Sequence, residues 1–215
     1  MSILLIRHGE TALNVARVLQ PADTPLSQRG VAQAEALARR LAALGVTAIV
    51  SSDLPRAWHT ARAIAATTYA PIEASALLRE RNFGDWRGQP YDDMPVNPLT
   101  MLEAPPGGES AAAFARRVAL GFEHVVQMRA AVGGTLAVVT HGLVIRALLA
   151  SHLRLPDADA DADADGAAAA AVPTHLGNTS LSVLDAQPPH RVTLLNCTRH
   201  LDADSHDDVT ALSGG

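Results

Sequence analysis

Short runs of apolar residues alternate along the chain with longer stretches in which apolar positions recur every three or four residues. The first apolar run, residues 3–6, predicts a buried strand. After Ser27, which can serve as an N-cap, helical spacing continues to a stop at Gly45. The apolar positions of this predicted helix are Val31, Ala34, Leu37, Ala38 and Leu41.

The same alternation continues to the end of the chain and predicts an α/β fold. A mostly parallel central sheet with helices on both faces follows from it, giving three layers, α/β/α. The last two strands favour a hairpin across Gln187-Pro188-Pro189. Further strands are predicted at residues 46–50, 136–139, 180–184 and 192–195, and further helices from 53 or 54 to about 66, from Ser110 to about 131, and over 142–153.

Polar residues follow three of the predicted strands at the point where each ends. Arg7 and His8 follow the first strand, Ser51-Ser52-Asp53 closes the second, and Thr140-His141 closes the third. Ligands bind at the carboxyl ends of strands in such sheets, so these side chains are expected to share a site. The alternative is that His8 and His141 are unrelated loop residues among the nine histidines of the chain.

All 17 basic residues are arginine, which excludes chemistry that needs a lysine, such as a P-loop or a Schiff base. The net charge of −5 is uneven, because five of the 22 acids lie in an Asp-Ala repeat at residues 157–165. Without that repeat the acids equal the bases in number. A nucleic-acid partner, which would require a basic face, is therefore not predicted.

The Asp-Ala repeat belongs to a low-complexity segment at about 156–172, which is interpreted as a solvated insertion in a single domain spanning 1–215. The absence of an 18-residue apolar run predicts no membrane span. The first residues lack a basic leader, and the single cysteine, Cys197, cannot form an internal disulfide. These features together predict a cytoplasmic protein.

The Arg7-His8 pair at a strand end suits phosphoryl transfer, which requires positioning and positive charge around the phosphoryl oxygens. A histidine nucleophile must be neutral at the attacking nitrogen, so its other ring nitrogen should donate to a fixed acceptor. Arg7 offers a planar set of donors for the same phosphate. The triplet Arg7-His8-Gly9 is too short to be specific, so its interpretation depends on the rest of the chain.

The chain resembles the histidine phosphatase superfamily, the phosphoglycerate mutase-like proteins, over nearly its whole length. The resemblance rests on seven blocks in the family's order, which makes it specific. They are Leu5-Ile6-Arg7-His8-Gly9-Glu10-Thr11 with Asn14; Asp23-Thr24-Pro25-Leu26-Ser27 with Gly30; Ser51-Ser52-Asp53-Leu54-Pro55-Arg56-Ala57; Leu78-Arg79-Glu80-Arg81-Asn82-Phe83-Gly84-Asp85-Trp86; Pro106-Gly107-Gly108-Glu109-Ser110; Val138-Val139-Thr140-His141-Gly142; and Asn178-Thr179-Ser180 with Leu195-Asn196 and His200-Leu201.

The resemblance implies that His8 is a nucleophile that becomes phosphohistidine and that Glu80 is the general acid and base. It implies no metal and no other cofactor. It also implies a set of residues that bind the phosphoryl group of the substrate, namely Arg7, Asn14, Arg56, His141 and Gly142.

For three of these residues a purely structural role is an alternative to a role in catalysis or binding. Glu80 could form a salt bridge with Arg79 or Arg81, and Asn14 could hold the first loop through bonds to the backbone. Arg56 could be a solvated arginine near a helix start. Glu109 is interpreted as a residue that caps or orients the next helix, and it is left outside the catalytic set.

The chain departs from the family pattern in two places besides the Asp-Ala insertion. Gln20-Pro21 stands where a glycine often follows the first helix, and Trp86-Arg87-Gly88 stands where family phosphatases often have Trp-Glu-Gly. The positive charge of Arg87 either favours a more anionic substrate or lies in solvent.

The resemblance favours a phosphatase that hydrolyses a small phosphorylated metabolite, with no nucleic-acid or membrane partner; a homodimer is left open. One alternative is a cofactor-dependent phosphoglycerate mutase, although the third block has Asn82-Phe83-Gly84 where mutases usually have His-Tyr-Gly. Alpha-ribazole phosphate is one specific substrate among several. A non-catalytic binding module is the third alternative, and the complete set of catalytic residue types argues against it.

Overall fold

A computed structural model describes residues 2–155 and 172–201 of the chain. The predicted Asp-Ala insertion lies outside the described residues except for Val172, and its interpretation stays a prediction. No helix of the described part is long and apolar enough to cross a bilayer. The elements are β1 (Ser2–Arg7), α1 (Ala12–Val15), α2 (Gln28–Leu41), β2 (Val46–Ser51), α3 (Pro55–Thr68), β3 (Ile72–Ala74), α4 (Ala111–Ala131), β4 (Thr135–Thr140), α5 (Gly142–Ser151), β5 (Leu181–Asp185) and β6 (Val192–Cys197).

The six strands form one sheet in the order β3-β2-β4-β1-β5-β6. Strands β3, β2, β4 and β1 are mutually parallel, whereas β5 is antiparallel to both β1 and β6. The predicted mostly parallel sheet and the closing hairpin are therefore confirmed. Strands β1 and β4 are neighbours, with Arg7 opposite Thr140, so the ends of both lie side by side.

Each face of the sheet has its own hydrophobic core, as a strand with apolar residues at every position requires. On one face Ile3 and Leu5 of β1 pack with apolar residues of α4 and α5. On the other face Leu4 and Ile6 pack with residues of α2 and α3. The three-layer arrangement follows directly from this alternation of β1 side chains.

The helix starts agree with the predicted caps. Ser27 accepts a hydrogen bond from the N–H of Gly30 at 3.0 Å, and Ser110 accepts one from the N–H of Ala113 at 3.2 Å. Sequence reasoning missed β3, because this edge strand has only three residues and two of them are exposed. His200 and Leu201 of the seventh block lie in a single 3₁₀ turn after β6.

Two glycines let the first loop lie directly against the start of α2. A Cβ atom on Gly9 would stand 2.6 Å from the carbonyl oxygen of Gly30. A side chain on Gly30 would collide with the backbone of Glu10. This contact fixes the backbone that follows His8, and only glycine permits so close an approach.

Candidate active site

His8 and His141 lie together at the carboxyl edge of the sheet. His8 follows β1, and His141 is the N-cap residue of α5 just after β4. Their ring centroids are 5.1 Å apart, and both side chains are fully buried. The two histidines are thus not unrelated loop residues, because the pairing of β1 with β4 brings them together.

The ring of His8 is oriented by the backbone of the next residue. Its Nδ1 atom lies 2.7 Å from the carbonyl oxygen of Gly9, and a carbonyl can only accept. Nδ1 therefore carries the proton, and the lone pair is on Nε2. The His8 backbone N–H donates to the carbonyl of Thr140 at 3.0 Å, which ties the residue to β4.

His141 is held by a serine from the end of β2. Its Nε2 atom lies 2.8 Å from Ser52 Oγ, while Nδ1 has no hydrogen-bond partner among the described residues. Burial, followed by the charge of Arg56, places the pKa of His141 well below its usual range, so the ring is neutral. Because Ser52 Oγ already accepts from the N–H of Leu54 at 3.3 Å, its own O–H can donate to Nε2. In that tautomer the proton of His141 is on Nδ1, where it can be donated to a phosphoryl oxygen.

Two buried arginines supply the positive charge of the site. Arg7 is fully buried and donates through Nη1 to the carbonyl oxygen of Leu176. Arg56 lies in the first turn of α3 and is 2% exposed. Burial lowers the pKa of Arg56 to about 10, which leaves the guanidinium charged at neutral pH. Arg56 is therefore not a solvated arginine.

Glu80 is buried beside these arginines and accepts two backbone hydrogen bonds. The N–H of Arg81 donates to Oε1 at 3.0 Å, and the N–H of Leu143 donates to Oε2 at 3.2 Å. Burial raises the pKa of Glu80, whereas these bonds and the charges of Arg56 and Arg7 oppose the shift. A carboxyl group with a raised pKa is suited to proton transfer near neutral pH.

The alternative in which Glu80 pairs with a neighbouring arginine does not match the contacts. Arg79 instead pairs with Asp53, at 2.6 Å and 2.5 Å. Arg81 donates its side-chain N–H groups to backbone carbonyls of residues 101–109. The carboxyl group of Glu80 is thus available to a substrate.

Asn14 holds the first loop through its side-chain oxygen, while its side-chain nitrogen can donate to a ligand. Its Oδ1 atom accepts from the N–H of Thr11 at 3.0 Å and from Asn178 Nδ2 at 3.3 Å, which holds the first loop. Its Nδ2 atom is buried and has no partner within the described residues. Gly142 is the first residue of α5, where backbone N–H groups are not used by the helix.

A small pocket opens at this edge of the sheet. Arg56 and Glu80 line it. The charge of Arg56 also lowers the pKa of His141, so the pocket lies near the buried histidines. The other polar side chains in its lining are Gln20, Arg81 and Arg87, and Phe83 supplies an apolar surface.

Tyr91 is a candidate residue that sequence reasoning missed. Its side chain is 8% exposed, and its hydroxyl has no hydrogen-bond partner among the described residues. Burial and the charge of Glu80 raise its pKa, so the hydroxyl stays protonated and can donate. The sequence carried no signal for Tyr91, because it lies outside the motif blocks in a region whose fold has no periodic pattern.

Glu109 has a role other than capping, since Ser110 is the N-cap of α4. Its carboxylate pairs with Arg117 at 3.0 Å and 2.8 Å. The same arginine donates to the backbone carbonyl of Glu80 at 3.3 Å. The pair therefore supports the segment that carries Glu80 without itself lining the pocket.

No group of three or more His, Cys, Asp or Glu side chains in residues 2–155 and 172–201 is arranged to hold a metal ion. The cationic groups of the site are those of Arg7 and Arg56. The chemistry that this arrangement can perform is the binding of an anion beside a neutral imidazole and a buried carboxyl group.

The sequence profile of the histidine phosphatase superfamily (branch 1) matches residues 3–198. A probable phosphoglycerate mutase, GpmB, of Yersinia pestis (strain Pestoides F) is 33% identical over 167 residues, covering 73% of this chain and 76% of its own. A mycobacterial glucosyl-3-phosphoglycerate phosphatase, solved in complex with VO3, has a TM-score of 0.69 and 32% identity, covering 90% of this chain and 97% of its own. Bacillus stearothermophilus YhfR has a TM-score of 0.73 and 28% identity, covering 93% of this chain and 98% of its own.

Proposed function

Because this chain belongs to the histidine phosphatase superfamily (branch 1), we propose that it hydrolyses a small phosphomonoester through a phosphohistidine on His8. The observation that carries the proposal is the 2.7 Å contact of His8 Nδ1 with the Gly9 carbonyl, because it leaves the lone pair on Nε2. The phosphatases among its structural relatives support hydrolysis of phosphoric esters as the reaction class.

In the first step, His8 Nε2 attacks phosphorus and the bond to the ester oxygen breaks. The leaving alkoxide takes a proton from the Glu80 carboxyl group, whose raised pKa favours the protonated form. Arg7, Arg56 and the Nδ1–H of His141 donate to the phosphoryl oxygens, where negative charge must be stabilised.

In the second step, the Glu80 carboxylate takes a proton from water as the water attacks the phosphohistidine. The bond between phosphorus and Nε2 breaks, and the electron pair returns to His8. Inorganic phosphate leaves, and both Glu80 and His8 recover their starting protonation states.

The replacement of His8 by alanine tests the covalent step. His8→Ala should abolish hydrolysis of p-nitrophenyl phosphate and remove the acid-labile phosphate from enzyme quenched during turnover. The matched control is His59→Ala, because His59 is exposed on α3 and outside the site; this variant should keep both signals. Turnover by His8→Ala near that of the control would exclude a phosphohistidine at this position.

The similarity to GpmB favours a second candidate, a phosphoglycerate mutase. A mutase returns the phosphoryl group of His8 to a second hydroxyl, whereas a phosphatase gives it to water. Incubation with 3-phosphoglycerate separates the two, because a mutase forms 2-phosphoglycerate and a phosphatase releases inorganic phosphate.

The wider setting of the reaction is also proposed. The proposed partner is a small phosphorylated metabolite in the cytoplasm, and neither nucleic acid nor a membrane is proposed as a partner. We also propose that the whole chain forms one domain. Alpha-ribazole phosphate belongs in a panel of phosphorylated metabolites that would identify the substrate. The oligomeric state, including a homodimer, requires a measurement of mass in solution.

A further inference from the structure

The loop that follows β1 lies along one face of α2 and its cap residue. Ser27, Gly30 and Gln33 are three residues apart, which places them on the same side of a helix. The N–H of Ser27 donates to the carbonyl oxygen of Glu10 at 2.9 Å, and Gly30 permits the close approach of Gly9. Gln33 makes the third contact, because its Oε1 atom accepts from the N–H of Glu10 at 2.9 Å.

The bond from Gln33 holds the peptide group that orients the proposed nucleophile. This peptide group joins Gly9 to Glu10 and is planar. It therefore contains both the N–H that donates to Gln33 and the carbonyl that accepts from His8 Nδ1 at 2.7 Å. Rotation of the plane would carry this carbonyl away from Nδ1, and Gly9 offers little resistance to rotation because it has no Cβ atom.

The peptide group before Gly9 is anchored by three contacts, whereas the one after it is not. The first donates to Thr60 Oγ1 at 3.1 Å and accepts from Asn178 Nδ2 and from the N–H of Thr179, each at 3.2 Å. Among the described residues, the second is hydrogen-bonded only to Gln33 and to the histidine ring that it orients. The oxygen of Gln33 is thus the hydrogen-bonding anchor of that second peptide group.

The other end of the Gln33 amide shows that packing alone does not explain this residue. Gln33 is 4% exposed, and its Nε2 atom is buried without a partner within residues 2–155 and 172–201. A buried amide nitrogen without a hydrogen bond destabilises the folded protein, and a methionine would fill a similar volume without that cost. The contact of its oxygen with the N–H of Glu10 accounts for a glutamine at this position.

We propose that Gln33 is a positioning residue of the phosphatase reaction, which keeps the Gly9 carbonyl beside His8 Nδ1 and thereby keeps the lone pair on Nε2. It acts on the ring through the peptide group between Gly9 and Glu10. Without this anchor the proton can move to Nε2, and that tautomer has no lone pair with which to attack phosphorus. The inference rests on the proposed function, because it concerns the nucleophile of that reaction.

The tautomer of His8 can be measured without any substrate. Long-range ¹H–¹⁵N NMR of protein labelled with ¹⁵N-histidine reports which ring nitrogen carries the proton, at a mildly alkaline pH where the imidazole is neutral. The signals of His8 are those that disappear in His8→Ala. In the wild type Nδ1 should be protonated. In Gln33→Met, which keeps the length of the side chain but removes the acceptor, the Nε2 signal should shift toward the protonated position.

Kinetics provide a second measurement. In Gln33→Met, phosphorylation of His8 by p-nitrophenyl phosphate in the burst phase should be about 10-fold slower, as expected for the loss of one hydrogen bond. The inhibition constant of inorganic phosphate should keep its wild-type value, because Arg7 and Arg56 are unchanged. Gln33→Glu should largely restore the burst rate, since a carboxyl group has an acceptor oxygen in either protonation state.

Gln28→Met is the matched control, because Gln28 is exposed on the same helix. This control should keep both the tautomer and the burst rate of the wild type. If Gln33→Met fails to fold, Gln33→Asn replaces it with the same expectations, because its shorter side chain keeps the amide but withdraws the oxygen from Glu10.

The outcomes separate the role of Gln33 from the proposed function. A folded Gln33→Met or Gln33→Asn protein with the wild-type tautomer would overturn the inference. So would an equal loss of burst rate and of phosphate binding, which would indicate a general disturbance of the site. A wild-type protein that fails to hydrolyse p-nitrophenyl phosphate would overturn the phosphatase function, while the NMR measurement would still decide whether Gln33 orients His8.

Discussion

The carboxyl group of Glu80 is subject to opposing influences. Burial favours its neutral form, while two backbone N–H groups and the charges of Arg56 and Arg7 favour the carboxylate. Burial is the largest of these, so the pKa is raised and the protonated form persists to higher pH than in an exposed glutamate. This is the state from which the proposed first step begins.

Replacing Glu80 by glutamine keeps the shape of the side chain but removes the proton. For an alkyl phosphate, whose leaving group is strongly basic, phosphorylation of His8 should slow by about 10²–10⁴-fold. For p-nitrophenyl phosphate, whose leaving group needs little protonation, the loss should be much smaller. Pre-steady-state bursts measure phosphorylation of His8 separately from its hydrolysis.

Equal losses in the two bursts would show that Glu80 is not the general acid, and Glu10, Asp85 and Glu109 would be tested in its place. The pH profile gives a second readout. The burst rate of the wild type with the alkyl phosphate should fall as pH rises through the pKa of Glu80, because the acid is lost there. The burst rate of Glu80→Gln should not show this decrease with rising pH.

At the scale of elements, the N-terminal part of α4 supports the segment that carries Glu80. Arg117 donates to the backbone carbonyls of Leu77 at 2.9 Å, Arg79 at 2.7 Å and Glu80 at 3.3 Å. The bidentate contact with Glu109 fixes the guanidinium in this position. Three hydrogen bonds thus join the helix to the segment that carries Glu80, and two more hold the guanidinium against Glu109.

Arg117→Met should lower the free energy of unfolding by about 3 kcal/mol, because it removes charge-assisted bonds and leaves Glu109 without its partner. Urea unfolding monitored by circular dichroism measures this quantity. The control is Arg116→Met on the exposed side of the same helix, for which a change within about 0.5 kcal/mol is expected. Similar values for the two variants would show that the contacts of Arg117 contribute little.

The elements that the sequence predicted depend on residues close together in the chain, whereas the features that it missed depend on residues far apart. The cap Ser27 and the apolar spacing after it lie within one stretch, and α2 begins where they predict. The role of Arg117 depends on carbonyls 37–40 residues earlier in the chain, which no local pattern indicates. Strand β3 is defined by its pairing with β2, which the three residues of β3 do not indicate by themselves.

At the scale of the molecule, positive charge is placed inside a chain whose net charge is −5. Arg7, Arg56 and Arg87 lie at or beside one pocket, and no potential metal cluster accompanies them in the described ranges. Arginine side chains can by themselves supply the charge that phosphoryl transfer requires.

Activity toward p-nitrophenyl phosphate should therefore survive prolonged dialysis against EDTA. The expected rate is that of the undialysed protein, measured in the same chelator-free buffer. A loss of activity that magnesium or zinc restores would contradict a site that depends on arginines alone. The acidic residues outside the described part would then be the first place to look for ligands.

The sequence could predict that the site residues lie close together, because the carboxyl ends of parallel strands meet at the same edge of the sheet. Polar residues at the ends of β1, β2 and β4 had to meet, and His8, Ser52 and His141 do. Their individual roles came from resemblance. The tautomer of His8 and the shared pocket of Gln20 and Arg87 depend on distances that no spacing along the chain encodes.

The central place of β1 has a consequence for biosynthesis. Its two neighbours in the sheet, β4 and β5, come much later in the chain, where Ile3 pairs with Leu136 and with Leu184. At about 5–20 residues per second, a ribosome reaches Leu184 roughly 10–40 s after it has made Ile3. Until β4 has been made, the apolar strand that leads into His8 has neither neighbour in the nascent chain, and until β5 has been made it has only one. The nascent polypeptide thus carries a strand with at least one unpaired edge until β5 has been made, and a chaperone that shields this edge would favour correct folding.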